Sequence, residues 1–564
     1  MSGPTGDFIR SLPITVIYTL VASLFVALTL TPLLASRLMR ADHSEPATHR
    51  VLMRFVGGHY QPVLDWCLRH YLLTLMLASG IFVGSLALFP LVGVSFFPNA
   101  EKPMFVVDVD MPRGTDLPIT DRVVNQLESV LLQQDEVISI MANVGRGNPS
   151  VYYNMYSMEA KPYVGQILVM TDPQKGRSVT QMVDDLRARF ALFPTGRIRV
   201  WEFKQGPSSD PPIVIRVVGD NLRTLSKLAA DVEDMIRQTA GSLYVDNFLK
   251  VSKTELKVQI NRDKAHLLGL SPIEIDRTVA AALVGLPVSK YRDPGGTEYN
   301  IVLRLPMDGR PTPEIFDRIS LLSHSGAQIP LRQVAYTELR AEAPLITHYD
   351  LKRTGRVTSD VSGRTVDEAT QDVTEKLAAY PWPPGYEYVV SGEQEQRQAS
   401  FGGLTQSVVI ALVCIFGVLV LQFKSFVQPF VIFVTIPLAI IGSIFALLLT
   451  GFSFSFTAFL GITSLVGIVI NDAILLVDFI NVRRGEGVNR MEAIREAGSA
   501  RFVPVVLTSA TTIGGLLPLT IGGGTMWAPM GWGIIGGLFT ATFLTLLVVP
   551  VLYAVFTRGD VDEV

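Results

Sequence analysis

Three polar side chains interrupt a long apolar run near the C-terminal end of the chain. Asn471 and Asp472 lie near the centre of residues 457–480, and Asp478 lies toward the end of that run. An isolated carboxylate at the centre of a membrane-spanning helix costs about 2.5–3.5 kcal/mol on insertion scales, so it should face other helices and have a partner. We interpret Asp472 as a proton-carrying carboxylate, because burial disfavours its ionised form and a nearby cation favours it. The alternative is a hydrogen-bonded Asp in a contact between helices.

The next apolar run carries two more polar residues at helical spacing. Arg501 opens this run, and Thr508 follows two turns later on the same helix face. The Arg501 guanidinium can bias nearby carboxylates, and the Thr508 hydroxyl can pass a proton or hold a water. Simpler roles exist, since Arg501 can anchor the helix at the cytoplasmic face and Thr508 can bond to the preceding turn. Asp478 can likewise reach interfacial water and pair with Arg483 or Arg484.

A glycine-rich loop followed by aromatic residues forms a second candidate site. Glycine and proline in residues 143–150 would let this loop change conformation. The aromatic and methionine side chains of residues 152–156 suit adaptable apolar ligands. A surface loop that leads into a half-buried strand explains the same pattern equally well. The residues expected to face a ligand are Gly145, Gly147, Tyr152, Tyr153, Met155 and Tyr156.

Several other kinds of chemistry have no support in the sequence. Cys67 and Cys414 are the only cysteines, so no disulfide framework and no CxxC metal site is predicted. No phosphate-binding loop, HExxH motif or Ser/His/Asp signature occurs, so neither a nucleotide-driven pump nor an enzyme is expected, and no cofactor is predicted. The net charge of −3 gives no reason to expect a nucleic-acid partner. The methionines show no spacing that would require a soft-metal site.

The candidate residues must be positioned by helices that cross a membrane. A transmembrane helix needs about 20 apolar residues. Seven stretches reach that length, near 13–37, 71–95, 404–423, 427–449, 457–480, 502–521 and 531–556. Basic residues follow the first, third, fifth and seventh stretches, and basic loops stay cytoplasmic. The soluble block between the second and third stretches is therefore expected outside the cytoplasm, with the C-terminus inside.

Strand-like and helix-like segments alternate in this soluble block, residues 97–400. Period-two patterns predict strands at 105–111, 165–170, 198–203, 212–218, 251–261 and 299–305. Amphipathic patterns predict helices at 121–132, 180–190, 222–239 and 271–283, the last with Ser271 as its N-cap. Repeated βαβ units indicate several small α+β subdomains with split-βαβ character.

The first and last apolar stretches resemble each other. Both carry a proline near the end, Pro32 and Pro550, and each proline is followed at the same offset by an arginine, Arg40 and Arg558. Prolines near the ends of such helices are common, so the similarity alone is ambiguous. Combined with the topology, it suggests that the first stretch closes a missing first half and that the other six form a repeat, as in many transporters.

Five segments in order resemble the C-terminal half of the resistance–nodulation–division efflux permeases, in their hydrophobe- and amphiphile-exporting branch. The matching segments are residues 27–32 (ALTLTP), 94–98 (VSFFP), 260–265 (INRDKA) with 268–271 (LGLS), 467–479 (GIVINDAILLVDF) and 504–509 (PVVLTS). The resemblance covers essentially the whole chain. It implies a polytopic α-helical membrane protein of seven transmembrane helices with a large periplasmic α+β block of porter and docking subdomains.

The resemblance also implies a division of the chain into domains. Residues 1–37 would be the last helix of the missing half, 38–70 a basic cytoplasmic linker or helix, and 71–96 a transmembrane helix. Residues 97–211 would be one porter subdomain, 212–250 with 336–400 a second, and 251–335 a funnel or docking subdomain. Residues 404–556 would be a five-helix bundle and 557–564 a cytoplasmic tail.

The expected function follows from the same resemblance. The chain would be part of a proton-driven exporter of amphiphilic small molecules, a homotrimer in a bacterial inner membrane that works with a periplasmic adaptor and an outer-membrane channel. Proton-motive force would replace any cofactor. Asp472, Asn471, Arg501 and Thr508 would form the proton relay, with Asp478 as a weaker candidate, and the glycine-rich loop would lie in the porter cleft.

Two departures from the family pattern limit this expectation. Drug-exporting members commonly have a lysine where this chain has Asn471, and the family's paired aspartates belong to the half that is missing here. A fragment or split-gene product that acts only with an N-terminal partner, or as a scaffold, is therefore an alternative. A protein-translocation accessory of the same superfamily is another, although its periplasmic insert is typically much shorter.

Overall fold

The computed structural model describes residues 4–38, 52–191, 193–207, 210–250, 253–306, 313–342 and 345–557. The chain divides into two units. One comprises Met1–Asn247 with Lys352–Val564, and the other comprises Phe248–Leu351.

The α-helices are numbered in chain order. They are α1 Pro4–Ile9, α2 Ser11–Leu28, α3 Leu30–Leu38, α4 Gln61–Arg69, α5 Tyr71–Val92, α6 Leu117–Leu131, α7 Val179–Phe190, α8 Leu222–Arg237, α9 Arg262–Leu267, α10 Pro272–Leu283, α11 Val366–Ala379, α12 Glu393–Phe423, α13 Val427–Phe433, α14 Thr435–Thr450, α15 Phe456–Gly485, α16 Arg490–Gly522 and α17 Gly524–Phe556.

The strands are numbered in the same way. They are β1 Met104–Asp110, β2 Val137–Val144, β3 Val164–Thr171, β4 Arg197–Glu202, β5 Ile213–Val218, β6 Ser242–Asn247, β7 Lys253–Ile260, β8 Leu286–Arg292, β9 Glu298–Leu303, β10 Ser320–Leu322, β11 Gln328–Pro330, β12 Ala335–Glu342, β13 Thr347–Tyr349, β14 Lys352–Val361 and β15 Glu387–Gly392.

Seven helical segments of the described residues are long and apolar enough to cross a membrane. They coincide with the seven predicted stretches, but several extend beyond the apolar core. Helix α16 begins at Arg490 after the N-cap Asn489, so Arg501, which opens the apolar run, lies inside the helix and not at its start. The extra turns form because Ala493, Ile494 and Ala497 are fully buried in the same hydrophobic cluster as the apolar part of the bundle.

The central helix of the bundle is α17, which packs against α14, α15 and α16. Glycines bring the backbones of α14 and α17 into direct contact. A Cβ atom added at Gly442 would lie 2.0 Å from the Gly536 carbonyl oxygen, and one at Gly537 would lie 2.1 Å from Leu465. The Ser443 hydroxyl donates to the Gly533 carbonyl at 2.7 Å across the same contact. Small residues at this crossing therefore fix the distance between the helices.

A buried hydrogen-bond network joins α13, α15 and α17 near the C-terminal end of α17. The Tyr553 hydroxyl, which is fully buried, donates to Asn481 Oδ1 at 2.7 Å and accepts from Arg484 at 2.9 Å. The Asn481 amide in turn donates to Gln428 Oε1 at 2.8 Å. The sequence suggested that Arg484 pairs with Asp478, but its guanidinium bonds to the phenol of Tyr553, and no ion pair joins it to Asp478 among the described residues.

The predicted linker at 38–70 is described only from residue 52 onward. Its helix α4 packs against the bundle, with Leu64 fully buried. The hydroxyl of Tyr60, just before α4, donates to the Leu546 carbonyl of α17 at 2.9 Å. The predicted tail at 557–564 lies outside the described residues except for Thr557.

Each half of the soluble block in the first unit contains one split-βαβ sheet, as predicted. In the first sheet the strand order is β2-β3-β1-β4 with antiparallel pairs throughout, and α6 and α7 are the two connecting helices. In the second, β14 pairs with β5 and β6, β15 pairs with β5, and α8 and α11 are the connections. This βαββαβ order allows each helix to cover the same sheet face.

The inserted unit interrupts the second sheet between β6 and β14. The sequence placed its end at residue 335, and this boundary is wrong. Strand β12 pairs with β7 from Ala335↔Ile260 to Glu342↔Lys253, so it belongs to the insert, which continues to Leu351. The predicted N-cap of α10 is confirmed, since Ser271 forms a capping box with Glu274.

Aromatic side chains pack where the soluble block meets the bundle. Phe96 and Phe456 are buried, with ring centroids 5.9 Å apart, and Phe97 lies 5.2 Å from Phe456. Phe8 of α1 packs edge-on against Phe97 and stacks on Tyr153 at 6.0 Å. The first helix thus contacts the segment that follows the glycine-rich loop.

A Gly442→Ala substitution tests the backbone contact between α14 and α17. The new methyl group would overlap the Gly536 carbonyl, which cannot rotate away, so we expect a loss of about 1–3 kcal/mol in unfolding free energy. Thermal unfolding of the full chain in detergent measures the change. Gly417→Ala on α12, where no atom lies within 4 Å of the added methyl, is the matched control. Equal stability of the two variants would contradict the assignment.

Candidate functional site

The predicted membrane site centres on Asp472, which is 8% exposed within the bundle. It projects from α15 toward α16, and its Oδ1 lies 3.5 Å from the Thr508 hydroxyl oxygen. The two residues are 36 positions apart, so the packing of α15 against α16 alone brings them together. The sequence predicted that both belong to one polar site, and the structure places them in contact.

The Thr508 hydroxyl makes a shorter bond to its own helix. It donates to the Val505 carbonyl at 2.8 Å, which is the local bond that the sequence offered as the simpler role. A hydroxyl has one proton and two acceptor lone pairs, so the oxygen of Thr508 remains an acceptor toward Asp472. When the hydroxyl rotates, it can instead donate to Asp472 Oδ1 at 3.5 Å, so Thr508 can serve as acceptor or donor toward this carboxyl group. The contact can therefore accommodate either protonation state of Asp472.

Asn471 and Asp478 lie on a different, exposed side of α15. Together with Ser464, Gly467 and Leu475 they form a stripe, here called the outer stripe of α15, whose members are all exposed. Asn471 and Asp478 share this face, as their spacing predicted, and no hydrogen bond among the described residues joins either side chain to Asp472 or Thr508. The sequence suggested Arg483 as a partner of Asp478. Arg483 instead pairs with Glu486 at 2.5 Å and with Glu496 at 2.6 Å.

Arg501 is not part of the Asp472–Thr508 pair either. Its guanidinium lies over the ring of Phe479, with Cζ 5.1 Å from the ring centroid. Its Nε is buried and has no hydrogen-bond partner among the described residues. The predicted relay is thus divided into a buried pair, an exposed stripe and a separate cation on α16.

A second site, which the sequence did not indicate, is a cleft of about 250 Å³ between the two split-βαβ sheets. Both sheets and the segments beside them contribute to its wall. The lining residues are Asp108, Asn154, Arg199, Trp201, Glu202, Lys204, Pro207, Asp210, Pro211, Tyr244 and Asp360. The available signal was the pair of charged residues, Asp108 and Asp110, in a strand that is buried along most of its length.

Asp108 is the most buried charged group of this cleft, at 5% exposed. Its Oδ2 accepts hydrogen bonds from Trp201 Nε1 at 2.9 Å and from Arg199 Nη2 at 3.2 Å. Its Oδ1 accepts from Gln166 Nε2 at 2.8 Å. Three donors satisfy the charge, as burial of a carboxylate requires. Burial also raises the pKa of Glu202 at the cleft wall.

The glycine-rich loop is held tightly at its base. Asn148 is fully buried, its backbone N–H donates to Gln166 Oε1 at 2.8 Å, and its side chain accepts from Asn143 at 2.5 Å. Gly145 has a φ of +81°, which favours glycine. A Cβ atom at Gly147 would lie 2.7 Å from the Met158 backbone nitrogen. Both glycines are thus needed for the observed fold of the loop.

The aromatic segment after the loop divides between core and surface. Met155 is 6% exposed and packs with Ala100 and Phe203, so in this conformation it belongs to the core and not to the surface. Tyr152 packs against the same cluster, and its hydroxyl donates to Gln205 Oε1 at 3.0 Å. Tyr153 and Tyr156 are 56% and 79% exposed. The alternative of a half-buried strand is also wrong, since residues 151–163 form no strand.

Comparison with known proteins gives one family match and several relatives. The family model described as the AcrB/AcrD/AcrF family matches residues 1–557. The swarming motility protein SwrC of Bacillus subtilis is 24% identical over 99% of this chain and 53% of its own length. The cobalt-zinc-cadmium resistance protein CzcA of Cupriavidus metallidurans is 25% identical over 100% of this chain and 54% of its own length. Protein HelA of Legionella pneumophila is 27% identical, with coverages of 99% and 54%.

A solved structure has the same fold. The X-ray crystal structure of a heavy metal efflux pump superposes with a TM-score of 0.70 and 22% identity, covering 90% of this chain and 52% of that one. The chain therefore spans about half the length of the curated relatives and of the solved structure that it matches.

A Gly147→Ala substitution tests the conformation of the loop. The added methyl would force the loop away from Met158. If overpacking destabilises the observed loop conformation by about 1–3 kcal/mol, the population of molecules with a locally open loop rises about 5- to 150-fold. We expect trypsin to cleave faster after Arg146, which is exposed in the loop, and mass spectrometry of the fragments measures the rate. Gly402→Ala, where no atom lies within 4 Å, is the control. Equal cleavage in both variants would show that the loop does not need Gly147.

Proposed function

The chain belongs to the AcrB/AcrD/AcrF family, the resistance–nodulation–division permeases, and we propose that it is part of an efflux transporter driven by proton flow. The observation that carries this proposal is the buried contact between Asp472 and Thr508 in an apolar helix bundle. A carboxyl group at such a position is expensive unless it has a role. Thr508 supplies an acceptor for its proton, so the pair can hold a neutral carboxyl group inside the membrane.

The outer stripe of α15 is evidence that additional helices pack against this bundle. Asn471, Asp478 and Ser464 are exposed on a helix that is apolar enough to cross a membrane, and lipid does not satisfy such groups. We propose that helices from the remaining part of the transporter, corresponding to the unmatched half of its relatives, cover this stripe. Protons would then pass between the stripe and Asp472. Arg501, with an unpaired Nε near the cytoplasmic end, would bias the charge at that exit.

The cleft between the two split-βαβ sheets is the proposed cargo site. Trp201 and Tyr244 offer aromatic surface, and Asp360 and Glu202 offer negative charge in the same wall. This combination suits an amphiphilic organic cation, because aromatic faces and carboxylates both attract positive charge. Tyr153 and Tyr156, exposed beside the glycine-rich loop, extend the apolar surface that such a cargo would meet.

A divalent metal ion is the second candidate cargo. The names of two similar proteins refer to cobalt, zinc and cadmium resistance and to heavy metal efflux. The carboxylates of Asp108, Glu202, Asp210 and Asp360 in one cleft favour a cation in either case. Comparing export of ethidium with export of Zn²⁺ by the complete transporter distinguishes the two cargo classes.

The assembly proposed for the chain follows the family. It would lie in a bacterial inner membrane with the split-βαβ sheets in the periplasm, form a homotrimer, and work with a periplasmic adaptor and an outer-membrane channel. The alternative is a component that does not transport by itself and acts only with a partner carrying the remaining helices. Co-expression with and without those helices separates the two, because the alternative predicts export only when they are present.

An Asp472→Asn substitution tests the proton-carrying role. The amide cannot take up or release a proton in the physiological range, so proton-driven export by the complete transporter should fall about 100-fold or more. Thr508→Ser keeps the acceptor oxygen and should retain export, whereas Thr508→Val should lose most of it. Asp65→Asn, which removes a carboxylate paired with Arg495 outside the bundle core, is the matched control. Wild-type export by the Asp472→Asn variant would refute the role.

A further inference from the structure

A continuous set of hydrogen bonds links the wall of the cleft to the glycine-rich loop through Asp108. We infer that Asp108 is a positioning residue that holds the cleft wall and the loop in a fixed relation, so that displacement of the wall by cargo releases the loop. The role of cargo in this inference rests on the proposed function, but the linkage between the cleft wall and the loop can be measured without transport.

On the cleft side, Asp108 Oδ2 holds two side chains of β4. Trp201 Nε1 donates at 2.9 Å and Arg199 Nη2 at 3.2 Å, and both residues line the cleft. Arg199 Nε is buried and has no hydrogen-bond partner among the described residues. A cationic occupant of the cleft would repel this guanidinium and attract the Asp108 carboxylate, which would weaken the bond between them.

On the loop side, Asp108 Oδ1 sets the orientation of one amide. Gln166 is 2% exposed, and its Nε2 donates to Asp108 at 2.8 Å. The other end of the same amide, Oε1, accepts the backbone N–H of Asn148 at 2.8 Å. An amide has one donor end and one acceptor end, so the acceptor-only carboxylate decides which end faces the loop. Asn143 continues the network by donating to the Asn148 side chain.

These bonds respond together because the groups are buried. Asp108, Gln166 and Asn148 are 5%, 2% and 0% exposed, so water cannot replace a bond that is lost. Leaving one buried donor or acceptor unsatisfied is more costly than the net gain of an ordinary hydrogen bond, and neighbouring bonds in a buried network strengthen one another. A change at the cleft wall that disturbs Asp108 therefore alters the orientation of the Gln166 amide, and with it the hydrogen bond between Gln166 and the loop.

Reversing the polarity of the network tests the inference. Asp108→Asn places an amide N–H₂ against either Gln166 or the two β4 donors, so one link must break. Gln166→Glu places two carboxylates against each other. In the double variant, the carboxylate introduced at position 166 accepts from both the amide introduced at position 108 and the Asn148 N–H. The oxygen of that introduced amide accepts from β4. The double variant thus restores the bonds to β4, between positions 108 and 166, and to the Asn148 N–H, with the same net charge. It loses only the long Gln166 Nε2 contact with Met158 Sδ at 3.6 Å.

The measurement is trypsin cleavage after Arg146 in the full chain. Each single variant should raise the rate about 5- to 150-fold, the range of a typical coupling between sites, and the double variant should return close to the wild-type rate. Glu136→Gln is the matched control. It removes a 6%-exposed carboxylate that accepts from Arg177 at 2.9 Å in the same subdomain, and no bond recorded for it reaches the loop.

A purely structural role for Asp108 predicts that Asp108→Asn and Glu136→Gln behave alike and that Gln166→Glu adds to the damage instead of repairing it. Either result overturns the inference. Proteolysis requires no transport, so these results leave the proposed function untouched. Conversely, wild-type export by Asp472→Asn would remove the proposed function without altering the cleavage pattern.

Discussion

Backbone contact between α14 and α17 is the constraint on which the membrane part of this protein depends. Gly442 and Gly536 allow a separation that no side chain would permit, and Gly537 admits Leu465 of α15 into the same crossing. Because α17 also packs on α16, the position of α15 relative to α16 is fixed indirectly. That relation sets the contact between Asp472 and Thr508. A shift of one helix would leave a carboxyl group buried without its neighbour.

The polar residues of α15 are separated by the helical period into two environments. Asp472 faces the protein interior, whereas Asn471 and Asp478 face outward along the outer stripe. A transporter that moves protons needs an interior group and a polar path to it, and these two faces provide both once a second set of helices covers the stripe. Asn471 brings no charge to this stripe, so any cation near Asp472 has to come from another element or from the covering helices.

The residues of this sequence predict its elements better than its contacts. The apolar stretches and the alternating strands follow from local periodicity, and the βαββαβ order follows from their succession. The Asp472–Thr508 contact could be predicted from the sequence because both residues interrupt apolar runs. The Asp108 network could not be predicted, because its members come from β1, β3 and β4. A charged residue in a strand also normally indicates a side chain on the solvent-facing side of the sheet. Likewise, the spacing of Met155 and Tyr152 does not reveal that Phe203 draws both toward the interior.

Infrared difference spectroscopy of the complete transporter, stepped between acidic and alkaline pH, tests the central claim most directly. It detects the carbonyl stretch of protonated carboxyl groups independently of cargo. We expect a band from a carboxyl group that is shielded from water and loses its proton in this step. The band should be missing in the Asp472→Asn variant and unchanged in Asp65→Asn. A spectrum that is the same in wild type and Asp472→Asn would contradict the claim, since Asp472 would then not exchange a proton.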